Sequence, residues 1–410
     1  MEIRRKQLSN SIHPRNSRLG RRAAYGVLNY WGGFSQNILA ELRDQGYTIF
    51  APSVGPLSSN WERACEAFAQ ITGTITDYGI ARSLKFGHAQ FGRNHSGNAL
   101  VPGFMSTPNS KINLVGHSMG GPTQRLLTHL LTFGSPDEMD TCERKNVACS
   151  PLFWTNKTTS YVKGVFAISC VHQGSVYNDY LQSNAQFLKF FKNFILILIA
   201  GNEFDSIHIY DMQLDHWNLT QGDNELFFDY LTRILQSPWV DEQSNGLFDL
   251  STAGLSNPLL SFVKNSPSTT YFSVASLTTK YINGTSIAET TTSPFFVSSA
   301  NVIGCYNNTN FPVLKTYTRR DWRQNDGQVA VASARGPDSG FIDFIMDLRS
   351  EFEEDLVLSS PLSSPLKGIY NYVGALDNTD HFQITGLFGL PGAQNNLFNN
   401  IIRTLTAIQA

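Results

Sequence analysis

Charge is scarce in this chain, and no apolar run reaches membrane length. Lys, Arg, Asp and Glu make up 16% of the 410 residues, and 31 basic against 33 acidic side chains leave a formal net charge of -2. With no basic surplus, there is no electrostatic footprint for nucleic acid. The longest apolar run, Phe194 to Ala200, falls far short of the ~20 residues a membrane span requires. Residues 1–22 carry Arg4, Arg5, Lys6, Arg15, Arg18, Arg21 and Arg22 and lack the apolar stretch of a signal peptide. They show no periodicity, and the expectation is a disordered basic leader. Cysteine is sparse as well: Cys65, Cys142, Cys149, Cys170 and Cys305 form an odd set, with no Cys-x-x-Cys or Cys/His metal spacing. Cys142 and Cys149 are near enough to close a short surface loop, but spacing alone does not pair them. Asn-x-Ser/Thr acceptors at Asn94, Asn156, Asn218, Asn283 and Asn307 permit secretion in a eukaryote without demanding it.

What the chain has is apolar bulk, with 41% hydrophobic residues and 28 Phe. That excludes a disordered protein and leaves two uses for the Phe side chains, a core or an apolar substrate pocket. Phe34, Ile38, Leu39 and Leu42 fit one face of a helix between Gly32 and Asp44. Tyr47 to Phe50 reads as a strand, and residues 60–71 as a helix with Trp61, Ala64, Cys65, Phe68 and Ile71 on one side. Further strands are expected at Ile112–Val115, Val165–Ile168 and Tyr271–Ala275, with another at Val329–Val331. Pro122 to Leu131 and Asn396 to Ile408 read as helices, and residues 176–240 as a mostly helical, aromatic stretch. Alternating strands and helices indicate an α/β fold, a mostly parallel sheet with helices on both faces. No repeat or linker interrupts it, so residues 23–410 are expected to form one domain.

The strand Ile112–Val115 runs into Gly116-His117-Ser118-Met119-Gly120-Gly121, and a helix follows at once. This is the G-x-S-x-G pattern in the setting that gives it meaning, a strand, a sharp turn and a helix. The turn strains the serine backbone, and the glycines let strand and helix approach. The hydroxyl then stands at a helix N-terminus, where backbone amides favour developing negative charge. Pro122 fits the first turn, where a missing N–H costs nothing. His117 reads as a packing or hydrogen-bonding residue, since this fold draws its base from late in the chain.

A serine needs a base and an orienting acid, which this fold supplies in the order Ser, Asp or Glu, His. His172, His208, His216 and His381 follow residue 130, and His381 in the polar turn Asn378-Thr379-Asp380-His381 lies nearest the C-terminus. Asp326 in Asn325-Asp326-Gly327 precedes an apolar stretch, although such a triplet alone is more often a plain turn.

Longer strings make the chain familiar: Tyr30-Trp31-Gly32-Gly33, Val54 to Ala67, Asp77-Tyr78-Gly79, Gly87 to Arg93, Ser150 to Phe153, Leu214-Asp215-His216-Trp217, Phe248 to Ser251 and Asn325-Asp326-Gly327. Together, over about residues 25 to 385, they closely resemble the thermoalkaliphilic bacterial lipases of the bacillus and staphylococcal type. The resemblance implies a secreted α/β-hydrolase that cleaves triacylglycerols and shorter esters. It also implies a large helical lid, here about residues 172–245, in which Phe187, Phe190, Phe191 and Phe194 would line the acyl pocket. Position by position, Ser118 matches the nucleophile, Asp326 the acid and His381 the base, with Asp377 and Asp380 as fallback acids. The Met119 N–H would be one oxyanion donor.

Three departures qualify the match. The family's zinc site needs two Asp and two His; here Glu62 and His88 are the remnants and Arg82 replaces a ligand, so no zinc is expected. The calcium site loses its carboxylates at Gln383 and at Phe388 or Gly389, so no calcium is expected either. Finally, the core strand and His-Gly-Phe segment that should precede Tyr30 and supply the second oxyanion donor are missing. The chain then reads either as an N-terminally incomplete product of its gene or as an inactive relative. A soluble esterase or thioesterase and a non-catalytic lipid-binding pseudoenzyme are the rival functions. Acyl-chain preference and oligomeric state are not legible in the residues.

Overall fold

The strand Val162–Ile168 buries apolar side chains on both of its faces, with Lys163 its one polar residue, in the structure, a computed structural model. Val165 and Ala167 pack with Leu126, Leu127, Leu130 and Leu131 of the helix Gly120–Phe133 and with Trp61 and Phe68 of the helix Asn60–Thr72. Phe166 and Ile168 point the other way, towards Ile38 and Leu42 of the helix Ile38–Asp44 and Phe398, Ile401 and Leu405 of the helix Asn395–Ala407. Successive side chains on a strand alternate faces, so a strand with apolar residues at consecutive positions, as from Val165 to Ile168, must be covered on both. The structure describes residues 2–5, 30–33, 36–155, 157, 160–183, 189, 211–255, 262–307, 319–337, 340–350, 364–388 and 394–408.

The described strands are, in chain order, β1 Glu2–Arg5, β2 Tyr47–Phe50, β3 Ile75–Asp77, β4 Phe91–Asn94, β5 Ile112–His117, β6 Val162–Ile168, β7 Thr270–Leu277, β8 Thr279–Ile282, β9 Thr285–Ala288, β10 Phe341–Asp343 and β11 Tyr370–Asp377. Among the described residues the main sheet runs β10-β11-β7-β6-β5-β1-β2. From β10 to β5 every pairing is parallel. This is an α/β-hydrolase fold, its parallel sheet covered by helices on both faces. Phe166 of β6 stacks on Phe272 of β7 with ring centroids 5.6 Å apart, both fully buried. Phe166→Ala is therefore expected to cost about 3–5 kcal/mol, read as a lower denaturant midpoint at unchanged slope.

Several expectations need correction. Glu2–Arg5, assigned to a structureless leader, is a strand antiparallel to both β2 and β5. It occupies the sheet position that was expected to be missing, where the backbone groups of β2 and β5 would otherwise go unpaired. Its direction matters: Glu2 faces Leu114 and Ile3 faces Asn113, so β1 runs away from the end of β5 that carries Ser118. The helix expected from Gly32 begins at Ile38, where the Asn37 side chain accepts from the Ala40 N–H at 3.0 Å. Val329–Val331 is no strand. Ala330 makes a single bridge to Asn325, and Val331 opens the helix Val331–Arg335. In the inserted segment, Phe227, Tyr230, Leu231 and Ile234 of the helix Phe227–Leu235 bury against Leu57, Met212, Leu214, Trp239 and Leu247. Phe187, Phe190, Phe191 and Phe194 lie outside the described residues. Cys142 and Cys149 form a disulfide, while Cys65 and Cys170 are buried and Cys305 is exposed.

Candidate active site

Ser118 follows β5 directly with φ 55, a left-handed backbone that a non-glycine residue holds only when its surroundings enforce it. Three backbone bonds do so. The Ser118 N–H donates to Ile168 O at 3.1 Å, and its carbonyl accepts from Gly121 N at 3.0 Å and Val171 N at 3.3 Å. A Cβ on Gly116 would lie 2.6 Å from Gly120 O, and one on Gly121 would lie 2.3 Å from the Cβ of Cys170. A Cβ on Gly120 would meet nothing within 4 Å. The steric need for glycine thus falls on Gly116 and Gly121, not on Gly120 as the motif suggested. Met119 is the N-cap of the helix Gly120–Phe133.

His381 reaches Ser118 from the loop after β11. Its Nε2 lies 2.9 Å from Ser118 Oγ and its Nδ1 lies 2.8 Å from Asp326 Oδ2. The His381 backbone N–H also donates to Asp326 O at 2.9 Å, so one residue fixes both ring and main chain. Asp326 is itself fixed. Its Oδ1 accepts from Gln328 N at 3.0 Å and Val329 N at 2.8 Å, and its Oδ2 accepts from Ser276 Oγ at 3.0 Å. Ser276 Oγ pairs with Ser169 Oγ at 2.6 Å behind it. Buried donors of this kind fix the orientation of a carboxylate. Sequence reasoning missed Ser169, just past the end of β6, and Ser276, inside β7, because a lone serine at such positions carries no periodic signal.

The fallback acids are not part of this line. Asp380, fully buried, spends its carboxylate on Ser293 and on the Phe382 and Gln383 amides. Asp377 ends β11 and is exposed. His117 packs with its ring centroid 4.5 Å from that of His381, and its Nδ1 shares a hydrogen bond of 2.6 Å with Tyr30 OH. Burial first, and His381 second, hold His117 well below the usual imidazole range, so it stays neutral. A hydroxyl, an imidazole and a buried carboxylate in one hydrogen-bonded line can move the hydroxyl proton and stabilise the resulting imidazolium.

The model of the "Lipase-like, C-terminal domain" family matches residues 13–348. The chain belongs to this family. Lipase 2 of Staphylococcus aureus is 30% identical to this lipase-like chain over 389 residues, which cover 93% of it and 51% of the staphylococcal protein. The lipase-like chain therefore spans about half the length of that relative. Among solved structures, EstA from Clostridium botulinum superposes with a TM-score of 0.79 at 32% identity, over 95% of this chain and 85% of EstA. Staphylococcus hyicus lipase gives 0.75 at 27% identity, over 95% and 92% of the two chains.

Neither metal site implied by the resemblance fits the residues of this lipase-like domain. Glu62 is fully buried, and its oxygens accept from Ser59 N, Trp217 Nε1 and Ser244 Oγ. Burial alone would raise its pKa, but His216, His88 and Arg82 hold it below the usual carboxylate range. Arg82, with its guanidinium 5.2 Å from the Trp61 ring, donates to Ser244 Oγ at 3.0 Å and brings a fixed cation into the cluster. His216 joins it unforeseen, its Nε2 3.5 Å from Glu62 Oε1 and its ring stacked on Tyr78. An engaged carboxylate beside a guanidinium is a poor seat for a divalent ion. Near His381, the Gln383 amide donates to Thr291 O at 3.0 Å and accepts from Asp380 N at 2.9 Å, and Phe388 packs on Phe382. Both ends of that amide are committed, and among the described residues no group of carboxylates or histidines replaces it as a cation site.

Proposed function

We propose that the chain is a carboxylic ester hydrolase of the lipase type, acting on triacylglycerols through Ser118, His381 and Asp326. The observation that carries this reading is the unbroken line from Ser118 Oγ through His381 to the fixed Asp326 carboxylate. The chain's similarity to Lipase 2 of Staphylococcus aureus and to Staphylococcus hyicus lipase supports the substrate class. In the reaction His381 Nε2 takes the Ser118 proton as Oγ attacks the ester carbonyl. The Met119 N–H faces the developing oxyanion, and the alcohol leaves with the proton from His381. Water then enters by the same route, cleaves the acyl-enzyme and frees the acid. Asp326 holds the imidazole tautomer throughout. The inserted segment of about residues 172–245 serves as the lid in this reading.

An extracellular address fits the Cys142–Cys149 disulfide, since such bonds persist in oxidising compartments. No helix among the described residues is long and apolar enough to cross a membrane.

A fluorophosphonate is expected to label Ser118, and hydrolysis of p-nitrophenyl esters to rise with chain length and at an emulsion surface. A preference for short, soluble esters would point to an esterase instead. A second reading, a lipid-binding relative without turnover, draws on β1. That strand leads away from Ser118, so its end does not bring a second oxyanion donor to the elbow. Long-chain lipid binding without labelling would favour it.

The reaction proposed needs no metal. EDTA is accordingly expected to leave both melting temperature and activity unchanged, because removing a bound ion withdraws the stability it lent. A fall of several degrees in EDTA, reversed by zinc or calcium, would overturn the metal-free reading.

A further inference from the structure

Four hydrogen-bond donors converge on one buried carboxylate beside His381, and none of them belongs to the triad. Asp380 Oδ1 accepts from Phe382 N at 3.0 Å and Gln383 N at 2.9 Å. Its Oδ2 accepts from Ser293 N at 2.9 Å and from the Ser293 hydroxyl. The Asp380 N–H donates to Gln383 Oε1, and Gln383 Nε2 donates to Thr291 O. Gln394 Nε2 then donates to Gln383 O at 2.7 Å. Two side chains thus fasten the turn that carries the imidazole to residues 291–293, where the helix Pro294–Gly304 begins. Phe296, in the first turn of that helix, has its ring centroid 6.3 Å from that of His381 and 5.1 Å from that of Phe382, both edge to face.

We infer that Asp380 is a positioning residue for His381. Asp326 holds the imidazole from one side, and the Asp380 clamp holds the main chain on which it stands from the other. This inference rests on reading His381 as the base. Only a carboxylate suits the position. An amide has two acceptor lone pairs on one oxygen, and its NH2 would face the Ser293 donors. The turn would then shift to relieve the conflict, and a misplacement of about 1 Å costs roughly 10²-fold in rate.

The test is Asp380→Asn in the full chain, with kcat and KM measured per site titrated by a fluorophosphonate. The expected result is a loss of roughly 10²-fold in kcat at nearly unchanged KM. In a His381→Ala background the same substitution should have no further effect on the residual rate, since Asp380 acts through the imidazole. Equal losses in both backgrounds, or none in either, would overturn the assignment. Ser293→Ala, which removes one donor and keeps the carboxylate, should lower kcat in the same direction if Asp380→Asn does not fold. A second readout needs no turnover. In the NMR spectrum of 15N-histidine-labelled protein, the His381 Nδ1 proton shared with Asp326 should shift or broaden in Asp380→Asn. An unmoved resonance would sink the proposal whatever the activity. A moved one in a protein that never labels would keep it while removing the hydrolase reading.

Discussion

Ser118→Ala is expected to lower ester hydrolysis by at least about 10⁴-fold and to abolish fluorophosphonate labelling. The substitution removes one oxygen from the line that His381 joins and leaves every backbone bond of the elbow in place. The left-handed conformation at φ 55 is enforced by the Ser118 main chain, bonded to Ile168, Gly121 and Val171. Alanine meets the same constraint there with a smaller side chain. Melting temperature should therefore stay close to that of the unsubstituted chain while activity disappears. A variant that keeps a tenth of the rate would show that another group attacks the ester.

Asp326→Asn is expected to lower kcat by roughly 10⁴-fold with little loss of fold. The carboxylate receives N–H bonds from Gln328 and Val329 on Oδ1, and Ser276 Oγ and His381 Nδ1 on Oδ2. In the amide, the oxygen takes the position of Oδ1 because two backbone donors require an acceptor there. The NH2 then faces His381 Nδ1 and turns that nitrogen into an acceptor. The ring proton moves to Nε2, which points at Ser118 Oγ with a proton where a lone pair is needed. The Ser276 hydroxyl can rotate and accept, so the buried site stays satisfied and the protein stays folded. Comparing kcat with the melting temperature checks this. A parallel fall in both would mean that Asp326 acts on the fold alone.

The elbow was legible because its meaning is local: six residues carry a strand end, a strained turn and a helix start. His381 was legible from chain order, since few histidines follow the serine. Asp326 was less so. Asn-Asp-Gly does make a turn, with Gly327 N on Asn325 Oδ1 at 2.8 Å, and nothing in the triplet says that the next carboxylate faces a residue 55 positions on. Resemblance rather than pattern promoted it. β1 escaped because four residues of mixed charge show no strand alternation; pairing with β2 and β5 decides their conformation. β11 escaped because Asn371 interrupts its apolar pattern, yet that amide is buried and donates to Tyr271 O at 2.8 Å. Val329–Val331 misled in the opposite way, since its apolar run serves a helix and the packing beneath it. Signals of this kind live between distant segments and not within a window of sequence.

The order of the sheet also dictates how the chain must be assembled in time. β5, β6 and β7 leave the ribosome in the order in which they sit side by side, so each finds its neighbour waiting. β7 has no such successor. Its outer edge pairs with β11, whose first residue, Tyr370, is made nearly a hundred positions after Tyr271, to which it is matched. Until then a strand of largely apolar side chains stands open, and an open apolar strand edge is a template for pairing with another molecule. His381 lies just beyond that same late strand. The step that seals the sheet against aggregation is thus the step that delivers the imidazole to Ser118, and a nascent chain becomes safe and complete at the same moment.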